Sequence, residues 1–458
     1  MAEDKKKKIN EEEEAMLMPN KNLPEDLIAD ILSRLPVKSL LRFRCVSKPW
    51  CALITDPAFV KMHLNRSLAT NSNLNLILIN SSFNLYSVDL DAWEQQAAVK
   101  LHLPLKSPNY KAKIVGSCNG LLCISYSDDD IFLWNPSTRR HQKLPITPIE
   151  FPFDNRLRYI VYGFGYDSTS DDYKLVRVVR FFGDHHYPGL TSHSEVKIYS
   201  LRTNSWRRIG DLPIHLRYIY NAGNFANSAL HWVGINSKFI VSFDLKDEEF
   251  REVPLPDSAE NEFPWDVEFL KGQLCLLHTF RFQRVEFWMM KDSWVKVFSI
   301  EHPWLIWGSG KLLPICYLKN GEFLLSKNTK GPLILYDPRR GRVRYLQIHG
   351  VPDTAGRTFI KTCFGSLVPL NAKDGIEEPK TKKSRKLILD VNIFCTHCLV
   401  EIFRVLVRLS YHQSYYEDEE DGQEKYKSVV LKTKKCFLEA AVVFILSIVY
   451  VIGCILQV

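Results

Sequence analysis

Residues 23 to 59, LPEDLIADILSRLPVKSLLRFRCVSKPWCALITDPAF, carry more apolar surface than so short a segment can bury by itself. Leu27, Ile31 and Leu35 recur at i, i+4 and i+8, one face of a helix, and Ile28 and Leu32 add a second apolar stripe beside it. Asn22 can cap, Pro24 suits a first helical turn, and Glu25 and Asp26 complement the helix dipole. Pro36 ends that helix and can open a second, Val37 to Arg44. Ser47 and Pro49 mark a third, which carries Trp50, Leu53 and Ile54. A unit of ~40 residues rarely builds a sufficient core without outside help. The segment is therefore expected to be a small all-α module of three helices whose surplus apolar face is covered by a partner.

Leu23-Pro24, Leu27, Ile31-Leu32, Leu35-Pro36, Ser39-Leu40-Leu41, Cys45-Val46-Ser47 and Trp50 together resemble the F-box of plant F-box proteins. The resemblance implies docking on the Skp-type adaptor of an SCF (Skp, cullin, F-box) ubiquitin ligase, and through it on cullin. The positions that match adaptor-facing family residues are Leu23, Pro24, Leu27, Ile31, Leu35, Pro36, Leu40, Val46 and Trp50. Pro49 departs from the family, in which many members carry a polar residue there. As a first-turn proline it leaves the third helix intact.

The chain has 458 residues, room for one small and one large domain, and its 46% apolar content supports a genuine core. Net charge is +8, with dense runs only at 5–8, 11–14, 380–386 and 417–421. The opposed N-terminal runs make residues 1–20 a disordered charged tail. Lys380 to Lys386 reads as part of a basic linker over 371–386, with a nuclear signal or an acidic-surface contact as the alternative. The first 22 residues are charged and lack an apolar core, so no signal peptide is expected and the body should be cytoplasmic, nuclear or both. The eleven cysteines should then be reduced. Cys118, Cys123, Cys275 and Cys363 sit in apolar strand patterns and read as small core residues. Cys395-Thr-His-Cys398 is a lone pair without a second at zinc spacing, so no metal is expected.

The middle of the chain repeats. An apolar strand that ends in a turn recurs with turn positions 89, 135, 200, 244, 289 and 337, at gaps of 46, 65, 44, 45 and 48. The long gap holds one insertion, Gly183 to Ser194. A second apolar run starts at Leu121, Leu230, Leu274 and Phe323, and stands 14, 14, 15 and 14 residues ahead of its turn. A period near 45 with short strands marks propeller blades, and six units fit residues 70–370; an irregular β-sandwich is the alternative. The first unit lacks an innermost strand, since Asn71 to Asn75 is polar. Thr358 to Val368 is a strand pattern without a following blade, so it is expected to supply that strand and close the ring.

Gly116-Ser-Cys-Asn-Gly-Leu-Leu122, Trp134-Asn-Pro-Ser-Thr-Arg139, the Tyr162 to Lys174 run and Asp292 to Phe298 resemble the F-box-associated domain, a kelch-like propeller, of plant F-box proteins. Tyr86 to Asp91 and Gly163 to Lys174 are most similar to the type that restrains plant immune receptors, the constitutive-expresser-of-pathogenesis-related-genes type. The resemblance implies a non-catalytic substrate receptor with a role in plant defence.

In an a-b-c-d meander, the b–c loops and the d-to-next-a loops share one end. The insertion at 183–194 is a b–c loop, and 146–158, 257–263 and 302–310 are d-to-a connections. They carry Phe151, Phe153, His185, His186, Tyr187, Phe263, Trp304 and Trp307, and aromatic loop tips suit recognition of a target protein. Several of these side chains serve equally well as caps on blade ends. Trp134, Trp206, Trp232, Trp288 and Trp294 read as blade core. Gly163-Phe-Gly165 lacks the third glycine of a dinucleotide loop, and no nucleophile elbow, phosphate loop or His-Glu-x-x-His occurs. Basic and aromatic residues do not alternate as nucleic-acid binding needs. No catalytic residue and no cofactor are therefore expected.

Residues 440–458, AAVVFILSIVYVIGCILQV, hold nineteen residues without a charge. As a helix they reach ~28 Å against a bilayer core of ~30 Å, which makes them a candidate membrane anchor at the end of a C-terminal extension, 387–458. A gene-model artefact and a segment packed on another protein are the competing readings. Leu387 to Tyr411 reads as an amphipathic helix. The domain plan is thus a charged tail (1–20), an F-box (21–62), a propeller (70–370), a basic linker (371–386) and the extension. The function it implies is substrate recognition in an SCF-type ligase. The rivals are a membrane-tethered scaffold without a degradative role, and a propeller enzyme or lectin.

Overall fold

The computed structural model describes residues 24–80, 83–94, 97–103, 112–150, 158–181, 194–213, 219–234, 239–256, 265–270, 272–280, 284–301, 312–327, 332–351 and 359–370. The chain divides into two compact units, Met1–Leu35 with Ile376–Val458, and Pro36–Gly375.

In the first unit, helix α1 (Glu25–Ser33) starts after Pro24, with Glu25 and Asp26 in its first turn. Asp30 and Arg34 pair at 2.7 Å one turn apart. The helix stops at Ser33 because Leu35 precedes Pro36, and the residue before a proline is pushed out of helical geometry. Leu35 is therefore not the third member of the Leu27–Ile31 stripe. It lies past the helix end and is buried, whereas Leu27 and Ile31 are 51% and 40% exposed.

The second unit opens with α2 (Val37–Phe43), which buries Val37, Leu40 and Phe43 along one face. In α3 (Lys48–Thr55) the Ser47 hydroxyl accepts from the Trp50 N–H at 3.3 Å. Phe43 meets Trp50 edge to face at 5.5 Å. A further helix, α4 (Pro57–Thr70), was not anticipated. The Asp56 carboxylate caps it by accepting from Ala58 N at 2.8 Å and Phe59 N at 3.1 Å. It buries Phe59, Val60, His63, Leu64 and Ser67.

Antiparallel meanders follow. They are β1 (Leu74–Ile79), β2 (Leu85–Asp89) and β3 (Val99–Leu101); β4 (Lys113–Cys118), β5 (Leu121–Ser125), β6 (Ile131–Asn135) and β7 (Arg140–Lys143); and β8 (Arg158–Asp167), β9 (Asp172–Phe181), β10 (Ser194–Ser200) and β11 (Ser205–Gly210). Next come β12 (Ile219–Ala226), β13 (Ala229–Gly234), β14 (Phe239–Asp244) and β15 (Phe250–Pro254); β16 (Trp265–Leu270), β17 (Gln273–Phe280), β18 (Arg284–Met290) and β19 (Trp294–Ile300); and β20 (Leu312–Tyr317), β21 (Phe323–Lys327), β22 (Leu333–Asp337) and β23 (Arg342–Leu346). The last strand, β24 (Phe359–Phe364), pairs antiparallel with β1 from Leu74↔Phe364 to Ile79↔Phe359. The first sheet thus has the order β24-β1-β2-β3, and the chain's late strand closes its early one as the sequence suggests. Adjacent sheets pack face to face in a propeller-like arrangement; Leu74, Leu76 and Leu78 share a core with Leu324, Leu333 and Leu335.

Six separate blades are not what forms. Among the described residues there are four four-stranded sheets and one eight-stranded sheet, in which β8–β11 and β12–β15 join through a parallel bridge at Gly163 and Gly223. The absent side chains are the reason. A Cβ on Gly163 would lie 2.7 Å from Trp232 Cζ2, and one on Gly223 2.4 Å from Trp232 Cε2, so the indole fills the space and the two backbones meet. The Lys174 ammonium ties the same two meanders, bonding Asp167 at 2.9 Å, Glu248 at 3.1 Å and the Leu245 carbonyl at 2.6 Å.

No helix among the described residues is long and apolar enough to cross a membrane. The candidate anchor at 440–458 lies outside the described residues.

Candidate functional site

Of the nine positions matched to adaptor-facing residues, Pro24, Leu27, Ile31, Pro36 and Val46 reach the surface, and Trp50 is half-buried. Leu35 and Leu40 are buried inside the chain, which makes them internal supports of the helices in this structure. Leu23 lies outside the described residues. Leu27 and Ile31 on α1, in the first unit, and Val46 between α2 and α3, in the second, are exposed apolar side chains.

Helix α4 and the turn that follows it are fastened to one end of the ring. Lys61 on α4 pairs with Asp171 in the β8–β9 turn at 3.4 Å. The Asn71 amide donates to the Tyr317 carbonyl at 2.6 Å, where β20 ends. The Asn73 amide donates to the Ser67 hydroxyl at 2.9 Å, and the Asn73 carbonyl accepts from Gly365 N at 2.6 Å, just past β24. All these contacts fall on the a–b and c–d turn end. By the alternation of a meander, the strand ends that flank 144–157, 182–193, 255–264 and 301–311 lie at the other end. Phe151, Phe153, His185, His186, Tyr187, Phe263, Trp304 and Trp307 themselves all lie outside the described residues.

A buried polar clamp, missed in the sequence, stands beside those strand ends. Arg177 donates to the carbonyls of Thr147 at 2.9 Å and Pro148 at 3.2 Å, and to Glu195 at 3.2 Å. Lys197 donates to the Pro148 carbonyl at 2.7 Å and pairs with Glu150 at 2.8 Å, while Glu195 accepts from Glu150 N at 2.8 Å. The Lys197 ammonium holds the Glu150 carboxyl below the usual carboxylate range. Replacing a buried ion pair with apolar residues of similar volume is often neutral or better, so the clamp's contribution is to fix the path of 147–150. The signal in the sequence was Arg177, Glu195 and Lys197 interrupting apolar strand patterns.

The sequence motifs of the second meander hold the chain that follows β24. Asn119 and Gly120 turn with positive φ of 51° and 83°, and a Cβ on Gly120 would come within 2.1 Å of Ser366 Cβ. The fully buried Asn135 amide donates to the carbonyls of Ser366 at 3.0 Å and Val368 at 2.9 Å, while its oxygen accepts from Ser137 N at 2.9 Å. Trp134 and Trp232 are core, but Trp206 and Trp294 are half-buried edge residues whose indoles donate to the Pro145 and Pro254 carbonyls at 2.8 and 2.7 Å.

Cys118, Cys123, Cys275 and Cys363 are buried, and burial pushes the Cys363 thiol up to about 12, out of the range of a nucleophile. Among the described residues no group of three or more His, Cys, Asp or Glu could hold a metal ion.

Residues 73–369 match the family model of the F-box associated beta propeller domain, and residues 21–62 that of the F-box domain. The chain is 35% identical to the F-box protein CPR1 of Arabidopsis thaliana, over 80% of this chain and 92% of that protein. It is 30% identical to an F-box/kelch-repeat protein of the same plant, over 74% of this chain and 93% of the relative.

Proposed function

Because the chain belongs to the F-box proteins that carry an F-box associated β-propeller domain, we propose that it is the substrate-recognition subunit of an SCF-type ubiquitin ligase. Its F-box docks on the Skp-type adaptor through Leu27 and Ile31, with Val46 as a further contact, and the adaptor connects it to cullin. The propeller holds a target protein. The subunit performs no bond chemistry. Its contribution is proximity, which raises the local concentration of target lysines at the ubiquitin-charged enzyme.

The observation that carries this reading is the fastening of α4 to one end of the ring through Asp171, Tyr317 and Gly365. A helix held directly against the propeller, instead of on a loose tether, suits a receptor. The proposed target contacts are Phe151, Phe153, His185, His186, Tyr187, Phe263, Trp304 and Trp307, by the sequence reading alone. Plant immune receptors are the proposed target class, by the resemblance of Tyr86 to Asp91 and Gly163 to Lys174. Pull-down of the adaptor with the Leu27→Asp, Ile31→Asp double variant tests the docking half; capture equal to wild type refutes it. The degradative half requires target abundance to fall when the chain is expressed and to recover under proteasome inhibition. A target level that never responds leaves a scaffold instead.

A further inference from the structure

Helix α1 leaves an apolar stripe uncovered, and the same chain holds a segment suited to cover it. Leu27 and Ile31 lie one turn apart on α1, both exposed. Each follows an acid, Asp26 and Asp30. Asp30 pairs with Arg34, while Glu25 and Asp26 are exposed. Residues 387–411, which lie outside the described residues, carry the counterpart in their sequence. Phe403 and Val407 have the same spacing, and each precedes a cation, Arg404 and Arg408. A helix over 387–411 would repeat the pattern of α1 with the charge reversed. The route of the chain brings the two together. Beyond β24, Gly365 sits against α2, where Val37 Cγ2 is 3.5 Å from the place a Cβ on Gly365 would take. The last residue of that described stretch, Leu370, is buried. The extension therefore starts close to Val37, which follows the end of α1 at Ser33 by one short turn of chain. Its linker, 371–386, can span on the order of 50 Å, against about 14 Å for the length of α1. Ile376–Val458 also falls into one compact unit with Met1–Leu35, instead of with the ring residues.

We propose that residues 387–411 fold back on α1 and restrain the chain's own docking. Phe403 and Val407 cover Leu27 and Ile31, and Arg404 and Arg408 stand against Asp26 and Asp30. The competition with the adaptor that follows rests on the docking function proposed above, whereas the cover itself does not. A flexible linker of this length gives the tethered segment an effective concentration on the order of 1 mM. A contact with a Kd of only ~0.1 mM as separate pieces would then be closed about ten times as often as open. Adaptor affinity, which scales with the open fraction, would fall about tenfold. So weak a contact restrains docking without abolishing it, because enough adaptor displaces the segment.

The test uses the full chain and two readouts, the Kd for a purified Skp-type adaptor and, without adaptor, hydrogen exchange of the α1 amides. The Phe403→Asp, Val407→Asp variant should bind the adaptor about tenfold more tightly than wild type and exchange its α1 amides about tenfold faster. The Arg404→Glu, Arg408→Glu variant keeps the apolar pair and should move both readouts the same way, by about threefold. A synthetic peptide of residues 387–411, added at ~1 mM to the Phe403→Asp, Val407→Asp variant, should return its α1 exchange to the wild-type rate. Equal adaptor affinity and equal α1 exchange in wild type and both variants overturn the proposal and leave the docking reading standing. Wild-type protection of α1 that grows with protein concentration places the extension of a second copy on the helix, and overturns the cover within one chain. If neither wild type nor variant binds the adaptor, the docking reading falls and the restraint with it, while α1 exchange alone decides the cover.

Discussion

Replacing Asn135 with aspartate separates two roles that one side chain plays. The same turn position recurs around the ring, and elsewhere an acid suffices: Asp89 accepts from Asp91 N at 2.9 Å, Asp244 from Lys246 N at 2.8 Å and Asp337 from Arg339 N at 2.9 Å. Only the oxygen is needed to cap the turn. Asn135 also donates, to the carbonyls of Ser366 and Val368, where the chain leaves the closing strand. Asn135→Asp keeps the cap and removes both donors. Two lost hydrogen bonds cost about 2 kcal/mol, and leaving two buried carbonyls against a carboxylate raises the expected loss to about 3 to 4 kcal/mol. At a denaturant slope of about 3 kcal/mol per M, the urea midpoint should fall by roughly 1 M. Native-state proteolysis should cut first in 366–370, and Asp337→Asn, which retains its acceptor, should stay within about 0.5 kcal/mol of wild type. An Asn135→Asp midpoint indistinguishable from wild type would show that the tail is not held by this side chain.

Gly116→Ala places a Cβ 2.5 Å from Phe164 Cβ, so urea unfolding should register an overpacking loss of about 1 to 3 kcal/mol. Burial lowers the His231 imidazole to about 4 from its ordinary 6.5, so the folded state resists a proton that the unfolded chain accepts. Stability should therefore decline as pH falls from 6.5 toward 4, and equilibrium unfolding of His231→Gln should show a shallower decline across that window. Cys45 is exposed beside Val46, so a bulky maleimide on it should block adaptor capture in a pull-down, whereas Cys45→Ser should be immune to the reagent.

The closing strand was legible in the sequence because Thr358 to Val368 alternates like a strand yet has no blade to join, while Asn71 to Asn75 is too polar for an innermost strand. Positions 89, 135, 244 and 337 were legible as turns because their Asp or Asn caps the turn, whereas position 289 is Met and falls inside β18. Helix α4 was not, although Asp56-Pro57 is a start signal. Its inner face runs Phe59, His63, Ser67, and the last two are polar residues that only tertiary contact buries. The fused sheet was hidden for a related reason: Gly163 and Gly223 announce that something comes close, and the sequence does not say that it is Trp232. For the same reason periodicity set Leu35 in the Leu27–Ile31 stripe, whereas the proline after it decides where the helix stops.

The ring's asymmetry gives a physical reason for its motifs. Gly116 to Leu122 and Trp134 to Arg139 grip the segment after β24, whose Gly365 N–H in turn donates to the Asn73 carbonyl of the chain leaving α4. Val37 of α2 lies 3.5 Å from the space above Gly365, so α2, the closing strand and the turn asparagine form one continuous stack of contacts. Closure of the ring and orientation of the helical end are consequently the same structural event. A ring that opens at β24 would lose the anchorage of the chain leaving α4 together with its fold.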